Sequence, residues 1–281
     1  MIIDSRIRPP MKSFINANLY RECVTQPWAN NFMMTIADSV VKRDPELMFK
    51  EMDEAGVNMG VITGRQSGVH GRIPNEEIIE IVTNYPDKFV GIAGIDGNWA
   101  TSKSIEEIEK TVVNGPLKGV GLEPGVCDSP MHTDDPRLYP LYDYCQKMDL
   151  PVFIMAGGGQ GPDVTYSMPH HIQHVCTDFP QLKVVNTHAG FPWVPQILFT
   201  CMMCPNLYLA PDMYTYNMPG AHDYVVAANS ILKERFMFGT GYPFVPFRPA
   251  LEQFRTMGFN PELMDNFLYK NIARVLKLNV A

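Results

Sequence analysis

No stretch of this sequence stays apolar for the roughly twenty residues that a membrane helix needs, and no charged-then-apolar leader opens it. A soluble, cytoplasmic protein is therefore expected. Basic runs and aromatic-basic repeats are also missing, and the net charge is -7, so a backbone-neutralising nucleic-acid binder is excluded. Cysteine is sparse: Cys23, Cys127, Cys145, Cys176, Cys201 and Cys204 are scattered along 281 residues, which reads as reduced thiols rather than a disulfide framework. Cys201 and Cys204 form a C-x-x-C within the apolar "ILFTCMMCPNLYL", with no second pair and no nearby histidine. They read as buried core thiols. Nothing like G-x-G-x-x-G follows the first strand, which removes the usual support for a dinucleotide-binding open sheet.

What is there is regular alternation. β-rich runs recur as "MIID", "NMGVITG", "FVGIAGID", "KGVGLEPG", "LPVFIMAGGG", "LKVVNTHAG", "NLYLAPD" and "RFMFGTGYP". Helix-like stretches lie between them. In "DPELMFKEMDEAG", Asp44 is a cap, Pro45 takes the first helical position and Gly56 is a stop. "NEEIIEIVTNYP", "SIEEIEKTVVNG" and "RLYPLYDYCQKMD" follow the same rhythm. Eight alternations without a linker predict an α/β fold, a single (β/α)8 TIM barrel spanning residues 1–281.

In such barrels chemistry sits where strands end. Those ends supply Arg6 and Arg8, then Arg65, Asp96, Glu123, Met155, His188, Asp212 and Gly241 with Tyr242. Arg6 and Arg8 share one face of the first strand, so two cations there require an anion, either a protein carboxylate such as Glu123 or Asp212 or a substrate. His188, Asp212 and Glu123 are the candidate catalytic groups, with the two carboxylates open to either a base or an ion-pair role. Arg6, Arg8, Arg65, Tyr214 and Tyr242 are the candidate substrate-binding residues; Tyr216 and Phe244 could extend a flat aromatic wall or simply pack the core. The "AGGGQG" run reads as a permissive turn beside the site rather than a phosphate loop. His170 and His174 share a helix face, yet no carboxylate signature accompanies them, which favours surface or capping roles. Eighteen methionines suggest adaptable contacts or a subunit interface, hence a possible homo-oligomer.

The strand ends, together with the "IID" opener, "MDEAGV", "NYPDKFVGIAGID", "DDPRLYPLYDYCQKMDLPVFI", "DFPQLKVVNTHAG", "FGTGYPF" and "NIARVL", resemble the amidohydrolase-related branch of the amidohydrolase superfamily. That branch includes metal-dependent decarboxylases and hydrolases of aromatic acids and lactones. The departures matter more. The first-strand H-x-H of that pattern is Arg6 and Arg8 here, the histidine after strand five is Met155, and the aspartate of the last strand's "GSDYP" is Gly241. Only His188 keeps its residue type. The resemblance thus implies a barrel that has lost its metal centre, uses no cofactor and acts on a small organic anion. Metal-independent hydrolysis of a lactone or an aromatic carboxylic acid derivative is the first expectation. Decarboxylation or another C–C cleavage is the second, and an inactive anion-binding barrel the third.

Overall fold

The computed structural model describes residues 1–280. Seven parallel strands pair in chain order: β1 (Ile3–Asp4), β2 (Met59–Thr63), β3 (Phe89–Ile95), β4 (Val120–Leu122), β5 (Val152–Met155), β6 (Val184–Thr187) and β7 (Leu207–Ala210). The expected eighth strand makes only isolated bridges, Phe236 to Leu209 and Tyr242 to Ile7. It still closes the ring. Met237 N donates to Leu209 O at 2.9 Å on one side, and Ser5 N donates to Phe238 O at 3.0 Å on the other. The (β/α)8 barrel expected from the alternation is the observed fold.

The eighth ladder is broken because Gly241 adopts φ +65° and Pro243 has no N–H to donate. A side chain fills the gap. The Asp4 carboxylate accepts from Thr240 N at 3.1 Å and Thr240 Oγ1 at 2.6 Å, and also from Arg6 N at 2.9 Å. The first strand is thus tied to the last by a buried carboxylate where backbone rungs are missing.

The helices are α1 (Glu22–Asn31), α2 (Asp38–Lys42), α3 (Pro45–Ala55), α4 (Asn75–Asn84), α5 (Thr101–Ile108), α6 (Tyr139–Lys147), α7 (Pro169–Asp178), α8 (Val194–Met203), α9 (Ala221–Ala228), α10 (Phe247–Thr256) and α11 (Asn271–Val275). Helix α3 starts and stops where the sequence signals place it. Asp44 caps Glu46 N and Leu47 N, Pro45 opens the first turn, and Gly56 ends it at φ +80°. Between β1 and α3, α1 and α2 form an excursion that the strand–helix rhythm did not announce. Inside the barrel, Ile3, Val61, Phe153, Val185, Ala210 and Met237 pack with Ile272 and Val275 of α11, which plugs the end away from the strand termini. Cys201 and Cys204 are buried, as expected. Among the described residues no helix is long and apolar enough to cross a membrane.

Replacing Asp4 by Ala removes the acceptor for three donors and should cost about 1.5–3 kcal/mol, read by urea denaturation. Burial pushes the Asp4 carboxyl up to about 7 from 3.8. Its folded form therefore holds a proton that the unfolded chain has released, so this group's contribution falls as pH rises from about 4 to about 7. The wild-type stability curve should show that decline, and Asp4→Ala should lack it.

Candidate active site

A cavity of about 110 Å³ opens at the C-terminal ends of the strands. Arg8 enters it after β1, Arg65 and His70 after β2, Gln160 after β5, His188 after β6, and Tyr214 after β7. The excursion between β1 and α3 adds Asn18 and Trp28, and Phe244 comes from beyond the eighth segment.

The charges in this mouth are unequal. Arg65 grips Glu123 through two hydrogen bonds, Nε to Oε2 at 2.8 Å and Nη2 to Oε1 at 3.1 Å. Arg6 stands between the two carboxylates, 3.6 Å from Glu123 and 3.8 Å from Asp212. Its Nη2 also lies 2.7 Å from Met155 Sδ. Among the described residues Arg8 has no carboxylate partner. It donates only to the carbonyls of Gly241 at 3.1 Å and Tyr242 at 3.5 Å, and its guanidinium stands 5.9 Å from the Phe244 ring centre. Arg6, Arg8 and Arg65 thus gather with Glu123 and Asp212, and the buried Asp96, after β3, lines a smaller hollow with Arg65 and Glu123. Burial, then the like charges of Arg6 and Arg65, pushes Arg8 well below the usual guanidinium range. An incoming anion would relieve that penalty.

The other half of the site is a dyad. His188 Nδ1 lies 2.9 Å from the Asp212 carboxylate, and both side chains are fully buried. Burial lowers the His188 pKa from 6.5, with Asp212 opposing and Arg6 and Arg8 reinforcing the shift. A neutral imidazole that donates Nδ1–H to a carboxylate keeps a lone pair on Nε2. That Nε2 is buried and has no partner. His188 has φ +65° and Asp212 φ +46°, a conformation costly to non-glycine residues and concentrated at functional sites. Tyr214 buttresses the imidazole edge-on, with ring centres 5.4 Å apart, and itself stacks on Phe191. Gly157 is needed because a Cβ there would come within 2.6 Å of the His188 Cβ. The glycine run is therefore a close-approach turn beside the dyad.

The sequence-derived candidates divide accordingly. Arg6, Arg8, Arg65, Glu123, His188, Asp212 and Tyr214 converge on the mouth. Tyr242 does not: its ring stacks on Phe247 at 4.7 Å, its hydroxyl pairs with Ser39 Oγ at 2.8 Å, and only its carbonyl reaches Arg8. The strand turns after Gly241, which carries the Tyr242 side chain to the outer layer. Glu123 is buried, which pushes its pKa up, but Arg65 and Arg6 more than offset this and hold it below the ordinary range. A carboxylate so held is an ion partner and a poor proton acceptor. Outside the cavity, His171 and His174 share Asp134 at 2.7 and 2.6 Å, a carboxylate supplied by the loop after β4. Sequence reading missed His70, Asn18 and Trp28, which reach the cavity from loops without strand-end signals.

A family model described as amidohydrolase matches residues 25–278. The chain belongs to the amidohydrolase family. A solved structure of an uncharacterized TIM-barrel protein from Bordetella bronchiseptica is 41% identical, with a TM-score of 0.95, covering 99% of this chain and 98% of that one. A dihydroxybenzoic acid decarboxylase from Polaromonas, solved with bound manganese and the inhibitor 2-nitroresorcinol, shares the fold at 16% identity and a TM-score of 0.69, covering 100% of this chain and 98% of that one. A 2-amino-3-carboxymuconate-6-semialdehyde decarboxylase from Dictyostelium discoideum is 29% identical over 80 residues, 28% of this chain and 21% of that protein.

The mouth of this amidohydrolase does not fit a manganese-type centre. Guanidinium groups stay protonated and cannot ligate, Arg6 fills the corner beside Met155, and Gly241 brings no side-chain ligand. Glu123 is taken up by Arg65. Among the described residues no group of three or more His, Cys, Asp or Glu side chains is arranged to hold an ion.

The two first-strand arginines should separate experimentally. Arg6→Met strands Asp212 and weakens the hold on Glu123, and breaking such a buried pair costs about 3–5 kcal/mol, so the melting temperature should drop. Arg8→Met removes an unpaired buried cation. Melting should hold or rise, while affinity for small carboxylates measured by calorimetry falls by about ten- to a hundredfold, the worth of a charge-assisted contact of about 1.5–3 kcal/mol.

Proposed function

We propose that this amidohydrolase is a metal-independent hydrolase of a small anionic cyclic ester, a lactone carrying a carboxylate. The observation that carries this reading is the buried Asp212–His188 dyad, with its unpartnered Nε2, in the same cavity as the unpaired guanidinium of Arg8. Arg8 holds the substrate carboxylate. Trp28 and Phe244, whose ring centres are 6.0 Å apart, offer an apolar wall for the ring.

In the reaction His188 Nε2 takes a proton from water as the water oxygen attacks the ester carbonyl carbon. The carbonyl π pair moves onto its oxygen. When that oxyanion collapses, the ring C–O bond breaks and the departing oxygen takes the proton back from His188. The products balance as lactone plus water giving a hydroxy acid, and Asp212 stabilises the transient imidazolium.

Decarboxylation is the second reading, favoured by the named activities of the Polaromonas and Dictyostelium proteins. Two features weigh against it. A guanidinium on the scissile carboxylate stabilises the ground state, and a histidine depressed below 6.5 has no spare proton for a carbanion at neutral pH.

The test is a panel of carboxylated lactones and aromatic acids assayed in excess chelator, following ring opening and carbon dioxide release separately. Ring opening should persist in chelator. Asp212→Asn leaves the base His188 in place but removes the carboxylate that fixes its tautomer and stabilises the imidazolium, and should lower kcat by about 10²–10⁴-fold. Because the His188 shift is downward, kcat/KM should be flat at neutral pH and fall on the acid side with an apparent pKa below 6.5. Carbon dioxide release, dependence on added divalent metal, or anion binding with no turnover would each overturn the reading.

A further inference from the structure

His70 lines the same cavity as His188 but belongs to the loop that follows β2. The loop is pinned. Arg65 and Ile73 exchange backbone hydrogen bonds of 2.9 and 2.7 Å across its base, and Asn18 N donates to His70 O at 3.3 Å. The ring is pinned as well, since Asn18 Nδ2 lies 2.9 Å from His70 Nδ1. An amide N–H can only donate, so Nδ1 must be the acceptor, and the neutral ring carries its proton on Nε2. That Nε2 is buried and has no hydrogen-bond partner among the described residues. Burial, followed by the positive charge of Arg65, lowers the ring's pKa to about 4, so it is neutral at physiological pH.

We propose that His70 is a second catalytic histidine, a neutral Nε2–H donor that binds the carbonyl oxygen of the substrate and the oxyanion formed there, in the cavity it shares with the base His188. This rests on the hydrolase reading above. The two imidazoles are held in complementary tautomers. Asp212 accepts from His188 Nδ1 and leaves its Nε2 as an acceptor, whereas Asn18 donates to His70 Nδ1 and leaves its Nε2 as a donor. Arg65 is spent on Glu123 and Arg8 on the substrate carboxylate; Trp28, Gln160 and Tyr214 also line the cavity, but His70 is the lining donor whose ring and loop are both pinned by hydrogen bonds. A fixed donor of this kind stabilises the transition state more than the ground state. No proton leaves His70 during the reaction.

Two measurements on the full-length protein test this. The first is nitrogen NMR of the histidine rings at pH 7, with His70 assigned through His70→Gln. Nδ1 of His70 should appear unprotonated and Nε2 protonated, and Asn18→Asp, which demands a donor at Nδ1, should reverse the pattern. A proton on Nδ1 in the wild type overturns the proposal whether or not any substrate has been found. The second is kinetics on the lactone that the wild type opens. His70→Phe should lower kcat by about 10²–10³-fold, as loss of one oxyanion donor does, with KM little changed and melting retained, and His70→Gln should recover part of the loss. If His70→Phe keeps kcat within a few-fold while Asp212→Asn abolishes it, His70 is structural and the base reading survives. If ring opening survives Asp212→Asn instead, the base reading fails.

Discussion

Three guanidiniums gathered in a buried barrel mouth, one of them out of reach of any carboxylate among the described residues, is the constraint from which the rest of this site follows. Buried ions are tolerated when each is paired and hydrogen-bonded, and here Arg8 has no carboxylate partner among the described residues. Arg65 takes Glu123 in a two-point grip, and Arg6 bridges Glu123 and Asp212 at longer range. Arg8 is left with backbone carbonyls alone. The protein thus carries the cost of one unneutralised cation at the place where a ligand would enter. The positive charges of Arg6 and Arg8 help keep His188 neutral, which leaves a lone pair on its Nε2.

Asp212 ties the two halves together. It partners Arg6 on one side and His188 on the other, and it occupies a left-handed backbone conformation directly after β7. Losing it would unbalance the charges and release the histidine tautomer at once. The closure of the barrel has a similar economy. Asp4 lies two residues before Arg6 and points to Thr240, so the carboxylate that joins the ends of the sheet also fixes the backbone from which Arg6 projects.

Guanidinium groups bring fixed positive charge to the mouth of this barrel. A metal ion both attracts anions and activates water. Guanidinium groups do only the first; on the reading proposed above the second task falls to the histidine–carboxylate dyad, whose imidazole burial keeps uncharged.

The barrel was legible in the sequence because eight short apolar runs alternate with capped helices, and α3 shows how locally that information is written: Asp44, Pro45 and Gly56 act within one turn of their own positions. Strand ends identified Arg6, Arg8, Arg65, Glu123, His188 and Asp212 for the same reason, since the parallel barrel sends every C-terminal strand end to one face. Tertiary structure decided what is not local. Which arginine lacks a carboxylate depends on distances between β1, β2, β4 and β7. Tyr242 turned outward because Gly241 redirects the chain, and His70 met Asn18 because two irregular loops, 52 residues apart, fold over the same mouth. Sequence determined which charges would gather at the mouth. Only folding decided how they pair, because pairing is set by contacts a few ångströms long between segments that share no pattern.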